Sequence, residues 1–417
     1  MQKSRALTFV LAFTVALASC SATRTRTSPA RHAQALAAFD AARLQNVADV
    51  ACASVERGDY AGVSYLVVRD GETVLEGGCG FADVEERTPM RPDTIVRIYS
   101  MSKVFTCVAA LQLVDDGVVK LDDPITKWLP EFASPLVFTG GTVDAPVLEP
   151  LARPITVKNL LNHTAGFTYD FFPGAVAELY QRADLWNAPS LDEFVTRAAK
   201  LPLVRQPGRA FDYGISDDVL GALIQRASGM PFDEFVARRI TQPLGLHDTG
   251  FDVPAEKFAR LAALHVRDGK TLKTGPVIIG AYAERGRGFP SGGGGMFSTI
   301  RDYARFAQCL LEKGELDGVR ILARGTVERA LENSLPAGVT TFDAATGWGL
   351  FSGVRLDVPA AENPASPGTF TWAGAATTLF FADPKQRLVA LFFAQHTPYD
   401  ERQMFPRFSA AVYAALK

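Results

Sequence analysis

Cysteine and histidine are scarce in this chain, with five of each among 417 residues. The cysteines show no C-x-x-C spacing and no histidine cluster accompanies them, which argues against a zinc site. A basic excess is lacking too: 43 Lys and Arg stand against 45 Asp and Glu, a formal net charge of −2. With no basic patch beyond the N-terminal tail, nucleic acid is not an expected partner. After the N-terminus no apolar run is long enough to span a membrane, and no repeat of solenoid period occurs. G-x-S-x-G is absent, which removes the strand–turn–helix nucleophile elbow.

What the chain does have begins with a targeting segment over residues 1–20. Lys3 and Arg5 supply its positive region, and Ala6 to Ala18 its short apolar stretch. Leu17-Ala18-Ser19-Cys20 resembles the lipobox of bacterial lipoproteins, in which the cysteine is lipidated and anchors the chain to a membrane. Ordinary cleavage after Ala18 is the alternative. Residues 21–33 read as a flexible tether and 34–417 as the working domain, so an exported, periplasmic protein is expected. Cys52, Cys79, Cys107 and Cys309 are expected to be free buried thiols.

The run Ser100-Met101-Ser102-Lys103 is the only S-x-x-K in the chain. Val104, Phe105, Val108 and Leu111 continue it at helical spacing until Gly117. Residues i and i+3 share a helix face, so Ser100 and Lys103 can meet. A serine hydroxyl is a poor nucleophile until a neighbouring base takes its proton. Lysine is that base only when neutral, and its ordinary pKa is about 10.4. Burial and the positive end of the helix dipole are expected to push it down.

Around this motif, residues 34–57 read as one amphipathic helix. Gly62–Val68 and Glu72–Phe81 read as strands joined at Arg69-Asp70-Gly71, a hairpin signal. From about 120 to 285 the pattern is helical and loop-rich. Strand signals return at Gly349–Leu356, Thr369–Trp372, Ala376–Ala382 and Leu388–Gln395, and Glu401–Leu416 closes as a helix. One largely antiparallel sheet built from both termini is therefore expected, with helices flanking it and a mostly helical insertion on one side. The site would lie in the cleft between the two parts.

Three further segments follow Ser100 and Lys103 in order. They are Phe211-Asp212-Tyr213-Gly214-Ile215-Ser216-Asp217-Asp218, Gly292-Gly293-Gly294-Gly295-Met296-Phe297, and Trp372-Ala373-Gly374-Ala375. With Leu160-Leu161-Asn162-His163-Thr164-Ala165-Gly166, this ordered set resembles the serine β-lactamase-related superfamily over roughly residues 35–415. That superfamily includes class C β-lactamases, D-alanyl-D-alanine carboxypeptidases, D-aminopeptidases and family VIII carboxylesterases. The resemblance implies an α/β (α+β) β-lactamase-like fold with no metal or organic cofactor. It also implies that Ser100 forms an acyl-enzyme, that Lys103 shares its proton, and that Tyr213 relays protons as the tyrosine of the family's Y-x-N motif. Gly374 and Ala375 align with the end of the K-T-G strand, where the N–H of Ala375 would join that of Ser100 in an oxyanion hole.

Two departures from that pattern give the resemblance a direction. Ile215 replaces the Y-x-N asparagine and Trp372 the K-T-G lysine. Both substitutions remove polar groups that hold a β-lactam, and both are expected to leave an apolar rim, as in the esterase branch. Phe167, Tyr169, Phe171 and Phe172 are expected either to add aromatic surface at the cleft mouth or to pack in the core. His163 is expected to be a structural residue without an Asp-linked geometry, and the glycine run a tight loop that uses angles other residues avoid. The expected activity is hydrolysis of a small-molecule carboxylic ester of short to medium acyl chain. The alternatives are a β-lactamase or D-alanyl peptidase, and a non-catalytic penicillin-binding-like sensor lipoprotein.

Overall fold

The computed structural model describes residues 28–269, 271–276, 288–358 and 364–417. The targeting segment and Cys20 lie outside the described residues. The tether expected over 21–33 does not run as far as 33, because helix α1 (Pro29–Ala37) starts with Pro29 in its first turn. The single helix expected over 34–57 is broken as well. Asp40 caps a second helix, α2 (Ala41–Glu56), by accepting from Arg43 N, while Phe39 pairs with Leu416 at the other end of the chain.

The hairpin forms as its turn residues indicate. Strand β1 (Gly62–Arg69) meets β2 (Glu72–Asp83) through Asp70 and Gly71, whose φ angles are 51° and 78°. The short β3 (Thr88–Pro89) adds to β2. From the C-terminal part come β4 (Thr346–Trp348), β5 (Gly353–Arg355), β6 (Phe370–Gly374), β7 (Thr378–Asp383) and β8 (Leu388–Phe393). They form one eight-stranded antiparallel sheet in the order β4-β5-β6-β7-β8-β1-β2-β3. The two chain ends are joined where β8 pairs with β1, from Ser64 opposite Phe393 to Arg69 opposite Leu388.

Both faces of the central strands are covered, which is why Leu388–Phe393 is apolar at every position. Leu388, Ala390 and Phe392 face α2 and the closing helix α6 (Met404–Ala414). Val389, Leu391 and Phe393 face the core shared with α3 (Ser102–Asp115), α4 (Ser216–Ser228) and α5 (Ile300–Leu311). Helix α3 is buried from Ser102 to Leu113 and runs through the middle of that core, where Phe105 stacks on Phe306 of α5 at 3.8 Å. The region 120–285 carries the expected helices and also two hairpins, Leu136–Gly141 with Pro146–Pro150 and His265–Asp268 with Thr271–Thr274. Its apolar residues, Phe194 and Leu220 among them, belong to the same core as the sheet.

One cysteine expectation is overturned. Cys52 and Cys79 form a disulfide, with Cα atoms 5.8 Å apart. Their spacing in sequence gives no hint of it, because the bond depends on α2 lying across β2. Cys107 and Cys309 are free and buried, as expected. The bond closes a loop with a sequence separation of 27. Closing a loop of that length contributes about 3 kcal/mol by restricting the unfolded chain. Chemical denaturation with and without reductant checks this: reduction should cost about that much, and coincident curves would mean the bond does not form in solution.

Candidate active site

Ser100 sits in a tight turn, Tyr99–Met101, just ahead of α3. Tyr99 holds a φ of +42°, a region that non-glycine residues avoid, so the chain is bent sharply where it presents Ser100. Two neighbours enforce the bend. The backbone of Ile98 is bonded to Met296. At the end of β6, Gly374 comes so close that a Cβ there would stand 2.3 Å from Ile98 O. The W-x-G strand therefore needs glycine for contact, and this contact brings Ala375 into the cluster with Tyr99.

Lys103, in the first turn of α3, is fully buried. Its Nζ donates to Gly293 O at 2.5 Å and Tyr169 Oη at 2.8 Å, and reaches Ser100 Oγ at 3.5 Å. These three acceptors match the three hydrogens of an ammonium. Burial alone would push this lysine down, as expected from the sequence. The phenols of Tyr169 and Tyr213 and the carboxyls of Asp217 and Asp218 outweigh burial and hold it above its ordinary value. Lys103 thus rests charged, contrary to the expectation of a neutral base, because two acids and two phenols share its pocket.

Those acids open α4. Asp217 Oδ1 accepts from Cys107 Sγ at 3.1 Å, and its Oδ2 lies 3.3 Å from His163 Nε2. Burial raises Asp217 to about 7 and holds His163 well below its ordinary value. His163 does therefore have an aspartate partner, one that only the fold reveals. Asp218 Oδ1 accepts from Ser291 Oγ at 2.5 Å and Gly293 N at 3.0 Å. The glycine run presses against this turn: a Cβ on Gly292 would stand 2.3 Å from Asp217 O, and one on Gly293 would stand 2.5 Å from Asp218 Oδ2. None of the four glycines at 292–295 has a positive φ, and at Gly292, Gly293 and Gly295 close approach, rather than a special backbone angle, excludes a side chain.

Tyr213 turns its ring face to Lys103, with Nζ 4.9 Å from the centroid. Its hydroxyl is buried and has no hydrogen-bond partner among the described residues. The phenol actually bonded to Lys103 belongs to Tyr169, which the sequence marked only as one of an aromatic group. That group divides: Phe167 is fully buried, while Phe171 is 59% exposed and stacks on Tyr169 at 4.8 Å. Trp372 contacts the Tyr213 ring at 5.4 Å and Trp348 at 4.4 Å. Phe342, 66% exposed, stands over Trp372 at 6.3 Å. Ile215 does not reach the rim as expected. It is fully buried, because Gly214 packs directly on the backbone of Phe167 and Thr168 and the chain turns inward there to start α4.

The structure therefore brings Ser100, Lys103, Tyr213, Trp372, Gly374 and Ala375 to one place and leaves Ile215 behind them. It adds Tyr169, Asp217 and Asp218. The only sequence signal for the acids was two consecutive aspartates before an apolar helix, which reads equally well as a helix start. Among the described residues no group of three His, Cys, Asp or Glu converges as metal ligands would. A serine hydroxyl beside a lysine–tyrosine pair, walled by aromatic rings, is suited to acyl transfer from an apolar substrate.

Comparison with known proteins agrees with this architecture. The Beta-lactamase family model matches residues 47–413. Esterase EstB of Burkholderia gladioli is 32% identical over 383 residues, spanning 87% of this chain and 92% of the esterase. An uncharacterized protein of Mycobacterium tuberculosis is 35% identical over 334 residues, spanning 76% of this chain and 82% of its own. Among solved structures, EstCE1, a hydrolase with promiscuous acyltransferase activity, superposes with a TM-score of 0.75 at 25% identity, covering 92% of this chain and 98% of its own. The fold is β-lactamase-like, and the chain belongs to the β-lactamase family, the superfamily that its serine–lysine motif and glycine loop had indicated.

Proposed function

We propose that the protein is an exported serine carboxylesterase that cleaves esters of short to medium acyl chain through an acyl-enzyme on Ser100. Family membership and an esterase relative spanning most of the chain support ester hydrolysis in general. The observation that carries the finer reading is Lys103 Nζ reaching both Ser100 Oγ and Tyr169 Oη beneath an aromatic wall.

In this reading Lys103 first gives up its resting proton to solvent, and Ser100 Oγ then attacks the ester carbonyl as its own proton passes to the freed Lys103 amine. The oxyanion is received by the N–H groups of Ser100 and Ala375, each worth about 3 kcal/mol in the transition state. Tyr213, whose hydroxyl has no hydrogen-bond partner among the described residues, relays the proton from Lys103 to the departing alcohol, and water then releases the acid by the reverse path. Trp372 and the exposed Phe171 and Phe342 offer apolar surface to the acyl and alcohol groups. Export rests on the segment at 1–20, with lipidation of Cys20 as the membrane anchor. The Cys52–Cys79 disulfide suits an oxidising compartment.

Comparing kcat/KM for p-nitrophenyl butyrate and nitrocefin on one preparation tests the substrate class. The ester should be strongly preferred, and its turnover should vanish in Ser100→Ala. Preference for nitrocefin would place the chain with the lactamases. Ester turnover surviving in Ser100→Ala would remove the acyl-enzyme. The two tyrosines should separate in the same assay. Tyr213→Phe should lower kcat about a hundred-fold or more as a lost proton relay. Tyr169→Phe should cost about ten-fold as a lost hydrogen bond to the lysine. A Tyr169→Phe enzyme as active as wild type would mean that the Lys103–Tyr169 contact plays no part.

A further inference from the structure

We propose that Asp218 is the positioning residue for Lys103: it fixes the residue that receives the lysine and adds one of the charges that favour the ammonium at rest. The proposal deepens the serine–lysine reading given above and rests on it. Asp218 is fully buried at the start of α4, and its hydrogen-bond donors are Ser291 and Gly293. It acts through Gly293. The carboxylate takes the Gly293 N–H at 3.0 Å, and the carbonyl of that same residue takes the Lys103 ammonium at 2.5 Å. Ser291 Oγ, at 2.5 Å from the same carboxylate oxygen, ties down the other end of the loop. Gly293 is thus held on its N–H by an acid and on its carbonyl by the lysine.

The second carboxylate oxygen gives the charge a direction. Asp218 Oδ2 is buried and has no hydrogen-bond partner among the described residues. It lies 2.5 Å from the point where a Cβ on Gly293 would stand, and Tyr169 Oη lies 2.9 Å from that same point. The unengaged oxygen and the phenol bonded to Lys103 therefore flank one face of residue 293. The groups facing Lys103 are Tyr169, Tyr213, Asp217 and Asp218. The two neighbouring acids differ in their partners. Asp217 faces a thiol and a histidine held neutral, and burial brings it to about 7. Burial raises Asp218 too, but the Lys103 ammonium and two hydrogen-bond donors, Ser291 Oγ and Gly293 N–H, oppose it and favour the ionised form. Of the two, Asp218 is the one built to remain charged beside the ammonium.

Removing that charge should make Lys103 easier to deprotonate, which moves any rate limb governed by Lys103 toward lower pH. Because Lys103 is held above about 10.4, the limb lies at the alkaline end, and the readout is the rate of Ser100 labelling by a fluorophosphonate between about pH 8 and 11.5, with the labelled serine confirmed by peptide mass. In Asp218→Asn the limb should move down by about one pH unit, the size expected for losing an adjacent opposite charge. Ser291→Ala loosens the loop while leaving the charge in place, so its limb should stay at the wild-type position. An unmoved limb in a folded Asp218→Asn protein, or an equal shift in Ser291→Ala, would overturn the proposal. If Asp218→Asn does not fold, the wild-type protein labelled with 13C at lysine Cε decides. The Lys103 resonance, identified by its loss in Lys103→Ala, should titrate above the surface lysines, and titration with or below them would overturn the proposal. Labelling needs no ester turnover, so a protein that labels normally and hydrolyses no ester would refute the esterase reading alone.

Discussion

Lys103 carries a charge with no access to water, and the segments around it follow from the need to compensate that charge. An unpartnered buried ammonium costs several kcal/mol, enough to unfold a marginally stable domain. The glycine loop meets part of this demand with the Gly293 carbonyl, the loop after His163 supplies Tyr169, and the first turn of α4 supplies Asp217 and Asp218. Each of these segments is distant from the others in sequence, so the lysine pins three chain crossings at one point. The same contacts leave one N–H of the lysine directed at Ser100 Oγ. One arrangement therefore both compensates the buried charge and sets the lysine beside the Ser100 hydroxyl.

The rest of the fold holds this point still. Helix α3, buried on every side, cannot rotate Lys103 away without breaking the stack of Phe105 on Phe306. On the opposite side, β6 is one of the doubly paired strands of the antiparallel sheet, and its Gly374 rests on the backbone just ahead of Ser100. The positive φ of Tyr99 is sustained between these two supports. Aromatic rings close the remaining side, Trp372 against Tyr213 and Phe171 against Tyr169.

Much of this was legible in the chain. The hairpin at Asp70-Gly71, the strands at both termini and the order of Ser100, Tyr213, the glycine run and Trp372 carry local signals, because turns and close backbone contacts demand particular residues. What stayed hidden depends on pairing across the fold. Tyr169 meets Lys103 across 66 residues and Cys107 meets Asp217 across 110. Neither residue type is unusual where it stands. The raised state of Lys103 could not be read because its helix shows burial but not the acids beyond it. Cys52 and Cys79 look unrelated until α2 is laid on β2. Ile215 looked like a surface substitution because the family position it fills is polar, whereas here the chain turns inward at Gly214.

The central claim is that Ser100 is acylated during turnover. Rapid acid quench of the protein with p-nitrophenyl butyrate, followed by peptide mass analysis, tests it directly. The account predicts a butyryl mass increase confined to the peptide carrying Ser100 and absent from Ser100→Ala. Steady turnover with no adduct, or an adduct on another residue, would contradict it.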